Sequence, residues 1–217
     1  MRARIGLVAA ALAISVLSMS MDSIAAPAAP LKSTDVFAYP LPNWSPHCLG
    51  FGSQWRYCNG TALRECADGA VWLHTGVDVI ATAGSPVLAA GDGEIAGYLI
   101  DPQFRGGLLI RHHTSQGIVI TQYWHVWLRP GFQPGTQVAR GQAFADVADM
   151  GDRTHLHFAV FMGDYEPHAW NGALPPSSCS GFPGFPYRFV DPNAFLESHA
   201  LPWECPMGRS RARLRVC

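Results

Sequence analysis

Nine histidines are spread along the 217-residue chain. Three short segments place five residues of metal-binding or proton-transferring type beside stretches that read as β-strand. In Thr154-His155-Leu156-His157-Phe158-Ala159-Val160, strand alternation puts His155 and His157 on one face and Leu156 and Phe158 on the other. Leu and Phe belong in a core, which leaves two imidazoles side by side on a cleft or in solvent. A pair of ordinary surface histidines would show the same pattern.

The second segment is Leu73-His74-Thr75-Gly76-Val77-Asp78. On a straight strand His74 and Asp78 would share a face with Cα atoms about 13 Å apart, too far for one ion at ~2 Å from each ligand. A helix would bring i and i+4 together, but the β-branched residues Thr75, Val77 and Val79 around Gly76 oppose one. A bend at Gly76 remains, since glycine tolerates the backbone angles a bend needs. The third segment, Thr121-Gln122-Tyr123-Trp124-His125-Val126, ends a strand with His125. In isolation a satisfied core histidine is the commoner case. Jointly the five residues match a catalytic zinc site, which has three protein ligands and an open position for water. Two further imidazoles would serve to move protons near neutral pH.

These segments must be positioned by short strands. Between Val71 and Met162, runs rich in Val, Ile and Leu alternate with Gly, Pro and Asp turns, predicting strands at 77–80, 86–90, 93–100, 107–113, 118–126, 142–148 and 155–162. That spacing argues for a mainly β, antiparallel fold. Asp191 to Leu196 reads as a short closing helix, with Asp191 near its N-cap and Pro192 in its first turn.

The order of the motifs resembles the lysostaphin/LytM-type zinc endopeptidases. The elements that carry the likeness are His74-x-Gly76-x-Asp78, Ala81-x-x-Gly84-Ser85-Pro86-Val87-x-Ala89, Gly91-x-Gly93-x-Ile95, Tyr123-x-His125, Gly135-x-x-Val138-x-x-Gly141-Gln142, His155-Leu156-His157-Phe158 and Val190-Asp191-Pro192. The likeness spans residues 71 to 162 and 190 to 196. It implies a compact antiparallel β-sheet metallopeptidase core of the LytM-like, duplicated-hybrid-motif type, with irregular disulfide-bearing extensions. It further implies one zinc ion held by His74, Asp78 and His157, with His125 and His155 acting in catalysis. The implied substrates are peptidoglycan cross-links or stem peptides. A non-catalytic peptidoglycan-binding or hydrolase-activating module on the same scaffold is the alternative. Some relatives carry an upstream Asn as an inhibitory ligand, for which Asn43 and Asn59 are the candidates here. The stretch Asp146 to Thr154 has three Asp and little Gly, and Ala159 stands where an acidic residue often follows; both bear on the groove.

The remaining sequence bounds the setting. With 48% hydrophobic and 14% charged residues the composition is globular, which excludes a disordered or collagen-like chain. Net charge is −1. Setting aside Arg2, Arg4 and the tail Arg209, Arg211, Arg213 and Arg215 leaves an acidic body, so a nucleic-acid partner is not expected. Arg2 and Arg4, the apolar run Ile5 to Leu17 and the small residues Ser23, Ala25 and Ala26 read as a secretory signal over residues 1–26. No second long apolar run follows, so no transmembrane segment is expected after cleavage, and the protein should be secreted or periplasmic.

Residues 27–70 read as a Pro/Ala linker and Cys-rich extension, 71–196 as the peptidase domain with an irregular insertion at 163–189, and 197–217 as an extension with a basic tail. Six cysteines in an exported chain favour disulfides, with Cys58–Cys66 and Cys179–Cys205 as guesses from proximity. His112 and His113 are expected at the surface, and His47, His168 and His199 in loops.

Overall fold

The computed structural model describes residues 34–44, 47–54, 73–164, 177–178 and 185–201, all within one unit, Leu31–Cys217. Its strands are β1 (His47–Leu49), β2 (Leu73–His74), β3 (Gly76–Ile80), β4 (Pro86–Leu88), β5 (Gly93–Asp101), β6 (Arg105–Thr114), β7 (Gly117–Leu128), β8 (Gln137–Val138), β9 (Ala143–Val147), β10 (His155–Met162), β11 (Ser177–Ser178) and β12 (Phe189–Val190). One helix, α1 (Pro192–His199), follows. All seven strands expected from the alternation of apolar runs and turns are present, and most ends agree to within about two residues. The fold is mainly β and antiparallel. At α1 the Asp191 carboxylate accepts the Asn193 N–H at 2.9 Å and Pro192 opens the first turn, as its sequence requires.

Ten strands form one sheet, with the main path β1-β3-β10-β7-β6-β5-β8. The two faces differ in composition because side chains alternate along each strand. One face carries Val77, Val79, Leu108, Ile110, Tyr123, Leu156 and Phe158, all buried. It is covered by Phe37, Leu41 and Trp44, by Val87 and Phe144, and by Phe195 and Leu196 of α1. The Trp44 indole N–H donates to Asn193 Oδ1 at 2.7 Å, tying the N-terminal segment to the helix. Residues 34–44, whose proline and alanine content suggests a linker, are thus part of the core; three large apolar side chains outweigh the turn formers around them. The opposite face carries Asp78, His155 and His157, then a smaller cluster of Leu109, Ile120, Ala159, Phe161 and Phe189.

The sheet divides beside β7. Up to Trp124, β7 pairs with β10 (His157↔Trp124); from Val126 it pairs with β9 (Val126↔Val147). On its other edge Gly107 pairs with Trp124 and Gly106 with Val126. His125 is therefore the extra residue of a β-bulge at the point where the neighbouring strand changes. Its backbone is left-handed, φ 65°, a conformation that costs a non-glycine residue on the order of 1 kcal/mol or more. Bulges re-aim side chains in this way.

Several expectations are corrected. His112 is fully buried on the core face, bonded to the Asp92 carbonyl and to Thr121, with its ring edge-on to Phe37. The run of apolar residues before it gave its strand but not its facing. His199 closes α1 and stacks on Phe195 at 4.2 Å between ring centres. Cys48 is disulfide-bonded, whereas the pairs guessed from proximity, His168, Asn59 and the side chain of His47 lie outside the described residues.

Two outcomes follow from this packing. Phe37→Ala should cost about 3–5 kcal/mol, as for buried aromatics generally, read from the urea midpoint; a change below ~1 kcal/mol would contradict a core role for the N-terminal segment. His125→Gly should be more stable than His125→Ala by roughly 1 kcal/mol, because only glycine adopts positive φ without strain. Equal midpoints would contradict the bulge geometry.

Candidate metal and catalytic site

Register brings the first two residues together. His157 lies directly opposite Asp78 in the β3–β10 pairing, so their side chains share a face at the closest spacing a sheet offers. His74 arrives differently. It belongs to β2, which pairs with β11 in a separate two-stranded sheet, and the chain bends at Thr75 before β3 begins. The bend falls on Thr75 rather than on Gly76, where the spacing suggested it. Gly76 is needed for room: a Cβ there would meet the Phe158 carbonyl oxygen and come within 2.9 Å of His157 Cε1.

Three atoms converge. His74 Nε2 lies 3.0 Å from Asp78 Oδ1 and 2.9 Å from His157 Nδ1, and His157 Nδ1 lies 3.0 Å from Asp78 Oδ1. All three residues are buried, His74 fully. The Nδ1 of His74 sits 3.1 Å from the Gly50 carbonyl, which can only accept, so that nitrogen carries the proton and Nε2 presents a lone pair. With both imidazoles neutral and Asp78 ionised, at most one hydrogen, that of His157, remains for the three edges of the triangle. At least one edge then sets acceptor against acceptor at about 3 Å among buried side chains. A cation at the centre relieves all three edges together. For a tetrahedral zinc with bonds of ~2.0–2.1 Å the ligand atoms stand about 3.3 Å apart, so the triangle needs to open by only a few tenths of an ångström. The donor set of two imidazoles and a carboxylate fits a divalent ion of zinc type.

Electrostatics agree with that arrangement. Burial by itself would raise the Asp78 carboxyl, but His74, His155 and His157 outweigh it and hold Asp78 well below the usual carboxylate range. Burial lowers the His157 imidazole to about 4 against the opposing pull of Asp78. The triad is thus an ionised carboxylate and, at His157, a neutral imidazole near pH 7, the states in which these groups bind metals.

The other two histidines stand beside it with a small exposed fraction, His125 6% and His155 8%. Their ring centres are 4.4 Å apart. In each, Nδ1 faces a backbone carbonyl: Phe104 at 2.8 Å for His125 and Arg153 at 2.6 Å for His155. Both Nδ1 atoms must donate, so in the neutral rings both Nε2 atoms are free to take up a proton. His155 Nε2 lies 3.5 Å from Asp78 Oδ2. Burial, then the adjacent His155, push the His125 imidazole well below its ordinary value, so protonation of both rings together is disfavoured. The Phe104 carbonyl is fixed in turn by Asp101, whose Oδ1 accepts the Gln103 and Phe104 N–H groups at 2.7 Å each.

All five residues singled out from the sequence therefore meet at one place. Asn43 does not join them: it is exposed and borders a shallow groove with Leu41, Ile80 and Pro86. What the sequence missed are the backbone carbonyls of Gly50, Phe104 and Arg153, which set the ring tautomers. No side-chain type could have announced them.

Comparison with known proteins gives a consistent result. Residues 73–168 match the model of peptidase family M23. Over 109 residues the chain is 33% identical to the peptidoglycan DD-endopeptidase ShyC of Vibrio cholerae, covering 49% of this chain and 24% of that protein. The chain thus spans about a quarter of the length of this curated relative. Among solved structures it is similar to a zinc containing peptidase from Vibrio cholerae, with 28% identity, TM-score 0.44 and coverage of 58% of this chain and 36% of that one. It is also similar to the antimicrobial peptidase lysostaphin from Staphylococcus simulans, with 21% identity, TM-score 0.49 and coverage of 79% and 57%. The family match covers β2 through β10, which carry all five site residues, and over that stretch the chain is similar to peptidase family M23.

Proposed function

We propose that this protein is an exported zinc metalloendopeptidase that hydrolyses peptide bonds in the cross-links or stem peptides of bacterial peptidoglycan. The observation that carries the reading is the buried triangle of His74 Nε2, Asp78 Oδ1 and His157 Nδ1, whose crowding a cation would relieve, with two proton-accepting imidazoles beside it. The match to family M23 over residues 73–168 and the likeness to a peptidoglycan DD-endopeptidase support the substrate class. Among the described residues no helix is long and apolar enough to cross a membrane. Export rests on the signal-like segment 1–26, which lies outside the described residues.

His74, Asp78 and His157 would hold the zinc. When bound, zinc acidifies a water toward pKa ~7 and polarises a carbonyl. The chain's own part is proton transfer. Either His125 or His155 accepts the proton of the attacking water on Nε2 and returns it to the leaving amine. The carbonyls of Phe104 and Arg153 keep each ring oriented while its Nε2 changes protonation. The ring that carries a proton on Nε2 can also donate to the developing oxyanion, a role worth a few kcal/mol in comparable sites. Because the rings are neighbours, a proton on one disfavours a proton on the other, which suits a pair that passes a single proton. A peptidoglycan-binding or activating module would need none of this second pair, so its presence favours the enzyme.

Purified peptidoglycan incubated with the zinc-loaded protein should yield new peptide termini by mass spectrometry. His125→Ala should keep zinc and lose about 10²–10⁴-fold in turnover. His157→Ala should lose the zinc itself, and with it the stabilisation of about 2.7 kcal/mol expected at 100 times the dissociation constant. Full activity in zinc-replete His125→Ala would sink the catalytic assignment, and unchanged zinc stoichiometry in His157→Ala would sink the ligand assignment.

A further inference from the structure

Three buried side-chain atoms among the described residues have no hydrogen-bond partner: His157 Nε2 and both amide atoms of Gln122. Gln122 is fully buried, and leaving a buried amide unpaired is costly because it has given up its bonds to water. The sheet puts these orphaned groups next to each other. Along β7, Trp124 stands opposite His157 and Gln122 opposite Ala159, so Gln122 and His157 are diagonal neighbours on one face of adjacent strands. Such neighbours have Cα atoms about 7–8 Å apart, within reach of long side chains.

The His157 ring leans along the strand in that direction. Its Cε1, the atom bonded to Nε2, comes within 2.9 Å of the place a Cβ would take on Gly76. Gly76, Ala159, Gln122 and Leu109 form one row across four strands. Cε1 thus reaches the level of that row on its Gly76 side, and Gln122 stands on the other side of the small Ala159. A ring that offers its Nδ1 lone pair to a metal must carry its proton on Nε2, and that N–H needs an acceptor. Ligating histidines are generally held by such a partner.

We propose that Gln122 is the positioning residue for His157. Its amide oxygen accepts the His157 Nε2–H, directly or through one buried water, and so fixes the tautomer that turns the Nδ1 lone pair toward His74 and Asp78. The proposal rests on the metal-site reading given above and adds to it a residue outside the ligand set and outside the catalytic pair. It also accounts for a glutamine on a strand face otherwise occupied, beyond the site, by Leu109, Ile120, Ala159 and Phe161.

The test is zinc affinity, measured by competition with a chromophoric chelator, together with the melting temperature of the metal-free protein. Gln122→Leu is close in size and has no acceptor; it should weaken zinc binding at least ~10-fold. Its metal-free melting temperature should stay level or rise, since it removes an unpaired polar group. Gln122→Glu keeps an acceptor and should restore binding to within a few-fold of wild type. A merely structural role would instead lower the metal-free melting temperature and leave affinity untouched. Wild-type affinity in Gln122→Leu, or a loss in Gln122→Glu as large as in Gln122→Leu, would overturn the proposal alone. If the wild type binds no zinc, the metal-site reading falls and this proposal falls with it.

Discussion

The structure turns on a shortage of hydrogens. His74 Nε2, Asp78 Oδ1 and His157 Nδ1 lie within 3.0 Å of one another inside the protein, with at most one hydrogen among them. The Gly50 carbonyl has already taken the one proton His74 could have contributed. Buried acceptors facing each other are costly in a medium of low dielectric constant. A cation among them would remove that cost, and the surrounding features are the means by which the three atoms are held together.

The supports are of different kinds. Strand register sets Asp78 against His157, which needs only an undisturbed antiparallel ladder and the space that Gly76 leaves between β3 and β10. His74 needs a strand of its own and a bend, because no regular strand can place residues four apart on one ion. His125 needs a left-handed residue and a gap in the sheet, both supplied where β7 exchanges β10 for β9. The strain at His125 is local and is carried by a sheet whose opposite face is packed with large apolar side chains. Rigid packing on one face permits irregular backbone on the other.

The alternation in His155-Leu156-His157-Phe158 was legible because a strand has only two faces, and Leu and Phe claim one of them. The closing helix was legible because Asp191 and Pro192 act locally. His74 with Asp78 was less so: the residue types were suggestive, but the strand that carries His74 pairs with β11, just over a hundred residues away. His112 was misplaced at the surface because its burial comes from Phe37, Asp92 and Thr121, which meet it only in the folded chain. Residues 34–44 read as a linker because composition records turn formers but not what Phe37, Leu41 and Trp44 land upon. In each case the sequence was readable where contacts are local and silent where they are distant.

The most direct measurement is an anomalous difference map from crystals of the protein, collected on either side of the zinc absorption edge. One peak per chain is expected, within about 2.0–2.2 Å of His74 Nε2, Asp78 Oδ1 and His157 Nδ1, with the Gly50 carbonyl still accepting from His74 Nδ1. A zinc-loaded crystal with no peak there, or with the ion held by other residues, would contradict the metal-site reading.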